Sequence, residues 1–173
     1  EQSAVEAARA LVDAAGGEGV PLDLLAARLA LPAPALATQL RDVPGLVTVG
    51  KEPGALVSEG GLDALGVRLR ELLAQYHRDL PLRPGMAREE ARRRLFLRCP
   101  PGAFEQVLDR LERAGALHVH ADAVRLAGHE VRYTPEEEGV RAQLLAPASS
   151  AGLPGLEPDA AATPVKARVA RSL

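Results

Sequence analysis

Twice along this chain, and a third time in part, one order of signals returns: three apolar-periodic segments, then two short β-type runs about a turn. The unit recurs at roughly 60 to 70 residues. In the first copy Ala4, Ala7, Ala8, Leu11 and Val12 repeat at helical spacing and Gly16-Gly17 ends the helix. A second short helix runs near Leu22–Ala30 until Pro32 and Pro34 break it. Pro34 suits the first turn of a third helix, with Leu36, Leu40 and Val43 on one face, which Gly45 closes. Leu46–Val49 and Ala55–Ser58 flank Lys51-Glu52-Pro53-Gly54 as a hairpin.

The second copy is longer. A helix over roughly Leu62–Asp79 carries Leu65, Leu69, Leu72, Leu73 and Tyr76 on its apolar stripe. Pro81, Pro84 and Gly85 mark an extended connector, and Arg88–Leu97 reads as a short second helix. After Pro100-Pro101-Gly102, Phe104, Val107, Leu108 and Leu111 define a third helix, Ala103–Arg113, with Gly115 just past its end. Leu117 and Val119 alternate with His118 and His120, Ala121-Asp122 turns, and Val124 and Leu126 return as a second hairpin. The third copy opens with a capping box at Thr134-Pro135-Glu136-Glu137, followed by Val140, Leu144 and Leu145. Three helices plus a hairpin is the winged-helix pattern. The expected fold is therefore α+β, mainly helical: tandem winged helices over 1–60 and 61–133, then a partial one over 134–173. From Pro147 onward the tail, including Ala148–Gly152, is expected to be loosely held. The chain begins at Glu1 rather than Met and is expected to be a piece of a longer protein.

Composition narrows the function classes. With 21 Lys+Arg against 23 Asp+Glu the formal net charge is −2, so any phosphate contact must come from a local patch. Two Phe, two Tyr and no Trp leave no aromatic platform for stacking single-stranded bases. A single cysteine, Cys99, excludes a disulfide framework and a thiolate zinc site, and fits a reducing cytoplasm. No apolar run has membrane-spanning length. P-loop, nucleophile-elbow and H-E-x-x-H patterns do not occur, so the sequence supports no enzyme reading.

Four groups of residues carry possible chemistry. His118 and His120 share one strand face and, with His77 and His129, could hold a metal; solvated imidazoles on a wing are the plainer reading, and no metal site is assigned. Cys99, beside Arg98, is either a thiol activated by that cation or an incidental half-buried one. The helix Ala103–Arg113 sits in the recognition position. Its polar face offers Glu105, Asp109 and Glu112 against Arg110 and Arg113, which opposes a major-groove phosphate track. The one basic concentration is Arg88, Arg92, Arg93, Arg94 and Arg98, diluted by Glu89 and Glu90. These five are the candidate RNA-phosphate contacts, against a solvated helix face of Glu–Arg pairs.

The run Tyr76-His77-Arg78-Asp79-Leu80-Pro81-Leu82-Arg83-Pro84-Gly85-Met86, followed by Arg88-Glu89-Glu90-Ala91-Arg92, is distinctive. With Leu108-Asp109-Arg110-Leu111, Ala114-Gly115-Ala116-Leu117 and Arg125-Leu126-Ala127-Gly128-His129, it resembles the second winged helix of the bacterial selenocysteine-specific translation elongation factors. The resemblance is strongest across Leu62–Ala146 and collinear over Ala4–Glu59. It implies a GTP- and Mg-binding body, outside these 173 residues, and a carboxy-terminal string of winged helices. That family delivers selenocysteinyl-tRNA to ribosomes paused at UGA, and its last winged helix grips an mRNA hairpin. This stretch would then be a cytoplasmic, cofactor-free, monomeric spacer touching RNA of the ribosome, the tRNA or the hairpin. No hairpin-contacting residue is assigned. Two other classes compete: a winged-helix DNA-binding transcription regulator, which needs a basic recognition helix, and a protein–protein scaffold, which needs an exposed apolar patch.

Overall fold

The computed structural model describes residues 2–145 and 164–171. Its first unit comprises α1 (Gln2–Ala15), a 3-10 turn (Gly16–Glu18), β1 (Val20–Pro21), α2 (Leu22–Leu29), α3 (Ala33–Leu40), β2 (Leu46–Val49) and β3 (Ala55–Ser58). Its second comprises α4 (Glu59–Asp79), β4 (Met86–Ala87), α5 (Arg88–Leu95), α6 (Ala103–Arg113), β5 (Leu117–His120) and β6 (Ala123–Leu126). Both are winged helices. Each hairpin gains a third antiparallel strand, giving the orders β1-β3-β2 and β4-β6-β5. The added strands, β1 and β4, are two residues long, and neither was expected from the sequence. Two residues cannot show a periodicity. They are strands because Val20 pairs with Leu56 and Met86 with Val124 across the chain.

The two units are not beads on a string. In β3 successive side chains point to opposite faces. Leu56 packs with Ala8, Val12, Leu25, Leu36 and Leu40 in the first core. Its neighbours Ala55 and Val57 pack with Leu62, Leu69, Leu73, Phe104 and Leu117 in the second. The first wing thus serves as a wall of the second core.

Helix α4 starts at Glu59, three residues before the expected Leu62, although Gly60 and Gly61 are poor helix formers. Ser58 supplies the start: its Oγ accepts the Gly61 N–H at 3.1 Å. Ser58→Ala leaves that donor unpaired in a buried site and should cost about 0.5–2 kcal/mol in denaturant unfolding. An unchanged midpoint would mean that packing alone sets the helix start.

Helix α5 ends at Leu95 rather than at the expected Leu97. Phe96 leaves the helix and tucks against Phe104, ring centroids 5.0 Å apart, which turns Leu97 out to solvent at 70% exposure. Burying an aromatic ring outweighs one more helical turn. Helix α6 ends as expected, with Gly115 in the left-handed region and the Ala116 N–H donating to Leu111 O.

Helix α7 (Pro135–Leu145) begins on the expected capping box. The Glu137 N–H donates to Thr134 Oγ1 at 3.2 Å, and the Thr134 N–H to Glu137 Oε2 at 2.9 Å. Of the tail expected to be loose, residues 147–163, 172 and 173 lie outside the described residues. Pro164–Ala170 forms α8, packed on α7 with Val169 buried and Arg168 paired to the buried Glu137. Those contacts hold the Glu137 carboxyl below the usual carboxylate range; the Thr134 backbone bond is the largest cause.

Candidate nucleic-acid interface

Helix α5 presents four of the five candidate arginines, and the sequence already carried their neutralisation. Arg92 grips Glu89 with both prongs, Nε to Oε2 at 2.9 Å and Nη2 to Oε1 at 2.7 Å. That hydrogen bond holds the Glu89 carboxyl below its ordinary value and raises the Arg92 guanidinium. Arg94 pairs with Glu90 at 2.5 Å, one turn back. Arg98 would continue the helical series of Arg94 only if the helix persisted past Leu97. It lies past the end of α5 instead and reaches Glu18 of the first unit at 3.1 Å. Arg93 is exposed and makes no ion pair among the described residues. Arg88 is half-buried at the helix start, where its N–H donates to Asp122 O at 2.7 Å and ties α5 to the wing turn. The structure therefore gathers five guanidiniums and three carboxylates, fanned around a helix rather than aligned on one face. All the ion pairs are solvent-exposed, so each is weak and can be exchanged.

The recognition-position helix spends its charge internally. Arg110 of α6 points back to Asp63 at 3.5 Å and Glu59 at 3.8 Å on α4. Arg113 pairs with Asp109 at 2.7 Å, and Glu112 Oε1 accepts the Val119 N–H of β5 at 3.0 Å. In the first unit Thr38 of α3 donates to its own helix, at Pro34 O, 3.0 Å away. No free basic track faces outward from α6.

The four histidines separate into two pairs. His118 and His120 are exposed on β5. His77 and His129 stack face to face, centroids 3.6 Å apart and planes 11° from parallel. Among the described residues no three His, Cys, Asp or Glu side chains are placed to hold a metal. Cys99 is half-buried; burial and then Glu18 push its thiol up, while Arg68, not Arg98, is the cation that opposes them. An activated thiol is thus the wrong reading of Cys99.

The His77–His129 stack is what sequence reasoning missed. Its signal was present, because Tyr76-His77 and Gly128-His129 are two separate pieces of the family-like pattern. The connector between Pro81 and Met86 joins the same cluster: Arg83 O lies 2.8 Å from His129 Nε2. A Cβ on Gly85 would stand 2.9 Å from Val124 O, so the connector lies flush against the wing. Much of the distinctive pattern therefore does structural work, fastening the connector and the wing exit to α4.

Comparison with known proteins places the resemblance on this same unit. Residues 70–126 match the family described as elongation factor SelB, winged helix. A 92-residue stretch is 32% identical to the selenocysteine-specific elongation factor of Desulfomicrobium baculatum. The match takes in 53% of this chain and 14% of that protein, so the chain spans a small part of its relative's length. The likeness is to the winged-helix region of a translation elongation factor.

Proposed function

We propose that this chain is the spacer portion of a selenocysteine-specific translation elongation factor, acting in selenocysteine incorporation at UGA codons. On this reading three successive winged-helix units, divided near residues 60 and 133, stand between a GTPase body and an mRNA-hairpin-reading end. GTP and Mg belong to that body; the spacer is monomeric, catalyses nothing and holds no cofactor of its own. The protein works in the cytoplasm, in keeping with described helices none of which is long and apolar enough to cross a membrane. The observation that carries the spacer role is β3, whose alternate side chains belong to two cores. A strand shared in this way makes the angle between the first two units a property of the packing, which is what a distance-setting element requires.

Arg88, Arg92, Arg93, Arg94 and Arg98 are the residues through which the spacer leans on RNA, ribosomal or tRNA. Arg93 makes no ion pair among the described residues, and Arg92 and Arg94 need only exchange a solvent-accessible carboxylate for a phosphate. Two or three such contacts should give a slope of about −2 in log K against log salt, with little base preference. RNA binding measured at several salt concentrations tests this, with Arg92, Arg93 and Arg94 changed together to Ala. The variant should bind more weakly and with a flatter slope. If affinity and slope survive, the arginines are a solvated face and the RNA contact is lost from the proposal. Preference for duplex DNA would favour a transcription regulator, and indifference to both nucleic acids a protein scaffold.

A further inference from the structure

The chain leaving the second wing turns back over the C-terminal part of α4, where a closed set of contacts holds it. The Leu126 N–H donates to His77 Nε2 at 3.3 Å. His77 therefore carries its proton on Nδ1, which is buried without a partner. His129 covers one face of the ring, with the ring centroids 3.6 Å apart. Its Nε2 lies 2.8 Å from the Arg83 carbonyl and must be the donor there. Arg125 Nη1 closes the loop by donating to the His129 carbonyl at 2.6 Å. Residues 130–134 then lead directly to α7.

This arrangement works only while His77 is neutral. A second proton would go to Nε2, the atom that accepts from Leu126, and would set two N–H donors against each other. The charge would be buried in an apolar setting, against a stacked imidazole and the Arg125 guanidinium. Every element packed there contributes: α4 supplies Arg70, Glu71 and Arg78, and the wing exit supplies Arg125 and His129. The connector supplies the Arg83 carbonyl. Glu71 is the single carboxylate among them and is exposed, so the surroundings are net cationic.

We propose that His77 and His129 form a proton-operated latch, which holds the exit of the second wing against α4 and sets the direction in which the chain leaves for α7. When His77 takes up a proton, the Leu126 contact breaks and the segment from Gly128 to Thr134 comes free, while Leu126 stays paired with Leu117 and the Ala127 N–H with the Ala116 carbonyl in the wing. The latch is a property of the second unit and does not depend on what the spacer binds. Burial, then His129 and Arg125, hold the His77 imidazole down to about 4. A group held below its ordinary value of about 6.5 favours the closed form fully above that value. The closed form loses ground as pH falls from about 6.5 and has lost it all near 4.

Backbone amide exchange of the full chain, read residue by residue by NMR and corrected for the intrinsic pH dependence, tests the latch. Protection of the Leu126 and His129 amides should fall on the order of a hundredfold between pH 6.5 and 4, while the Leu56 amide of the first wing keeps its protection. In His77→Gln the drop should disappear. His129→Ala leaves His77 in place; it should lower Leu126 protection at neutral pH and move the His77 ring titration upward. A His77 midpoint near the ordinary imidazole value, or Leu126 protection that ignores the titration, would overturn the proposal. So would equal loss at Leu56, which would signal global unfolding instead of a local latch.

Discussion

Leu73→Ala should destabilise the chain by about 2–5 kcal/mol, and Leu72→Ala by distinctly less. The two residues are adjacent on α4 and were equivalent members of its apolar stripe in the sequence. In the structure Leu73 has no exposed surface, whereas Leu72 is partly buried at the edge of the core. Leu73 shares that core with Leu69, Met86, Phe104 and Leu117, and with Ala55 and Val57 of the first wing. A cavity at Leu73 opens in a core that helix, sheet and the first unit's wing build together, so the loss is felt across one continuous cluster. Urea unfolding of both variants measures the difference. Equal costs would place the helix one residue out of register. The loss should also appear when unfolding is followed by a probe in the first unit, since the wing that closes this core belongs to both.

What could be read from the chain beforehand follows the range of the forces involved. Helices α1 and α6 were legible because their apolar residues repeat every three to four positions, a signal contained within a dozen residues. Gly115 and the Thr134–Glu137 box were legible because caps are local chemistry. The misses lie where a distant segment decides. Phe96 ends α5 early because Phe104 offers a partner ring, and β1 and β4 exist because a wing strand lies alongside. The candidate site shows the same split. Neutralisation of Arg92 and Arg94 was visible in the neighbouring Glu89 and Glu90, one helical turn away. The bond from Arg98 to Glu18, the return of Arg110 to α4 and the stacking of His77 on His129 join residues far apart in sequence. No spacing rule connects them.

The sharpest case is a pair of adjacent glycines with opposite expectations. Gly60 and Gly61 both occupy the first turn of α4, and on helix propensity alone replacing either with Ala should help by up to about 1 kcal/mol. At Gly60 nothing lies within 4 Å of an added Cβ, so Gly60→Ala should be neutral or slightly stabilising. At Gly61 the Cβ would stand 2.6 Å from the carbonyl carbon of Gly16 and 2.9 Å from Gly17 N. Both are main-chain atoms, whereas a Cβ on Gly17 would meet the Leu65 side chain, 2.7 Å away. The 3-10 turn of the first unit therefore rests directly on the backbone of α4. On the far side of the joint, a Cβ on Gly102, at φ +90°, would stand 2.7 Å from Gly50 N in the first wing's turn. Neither contact can be relieved by rotating a side chain. Gly61→Ala must instead lift the turn from the helix, at a cost of about 1–3 kcal/mol. Gly102→Ala adds the strain of a left-handed backbone to a similar clash. Thermal unfolding of Gly60→Ala and Gly61→Ala side by side separates close approach from propensity. If the two behave alike, the units are not in main-chain contact here, and the rigid joint on which the spacer reading rests is gone. If Gly61→Ala alone destabilises, small-angle X-ray scattering of that variant should show the two winged helices changing their mutual angle, while each keeps its own core.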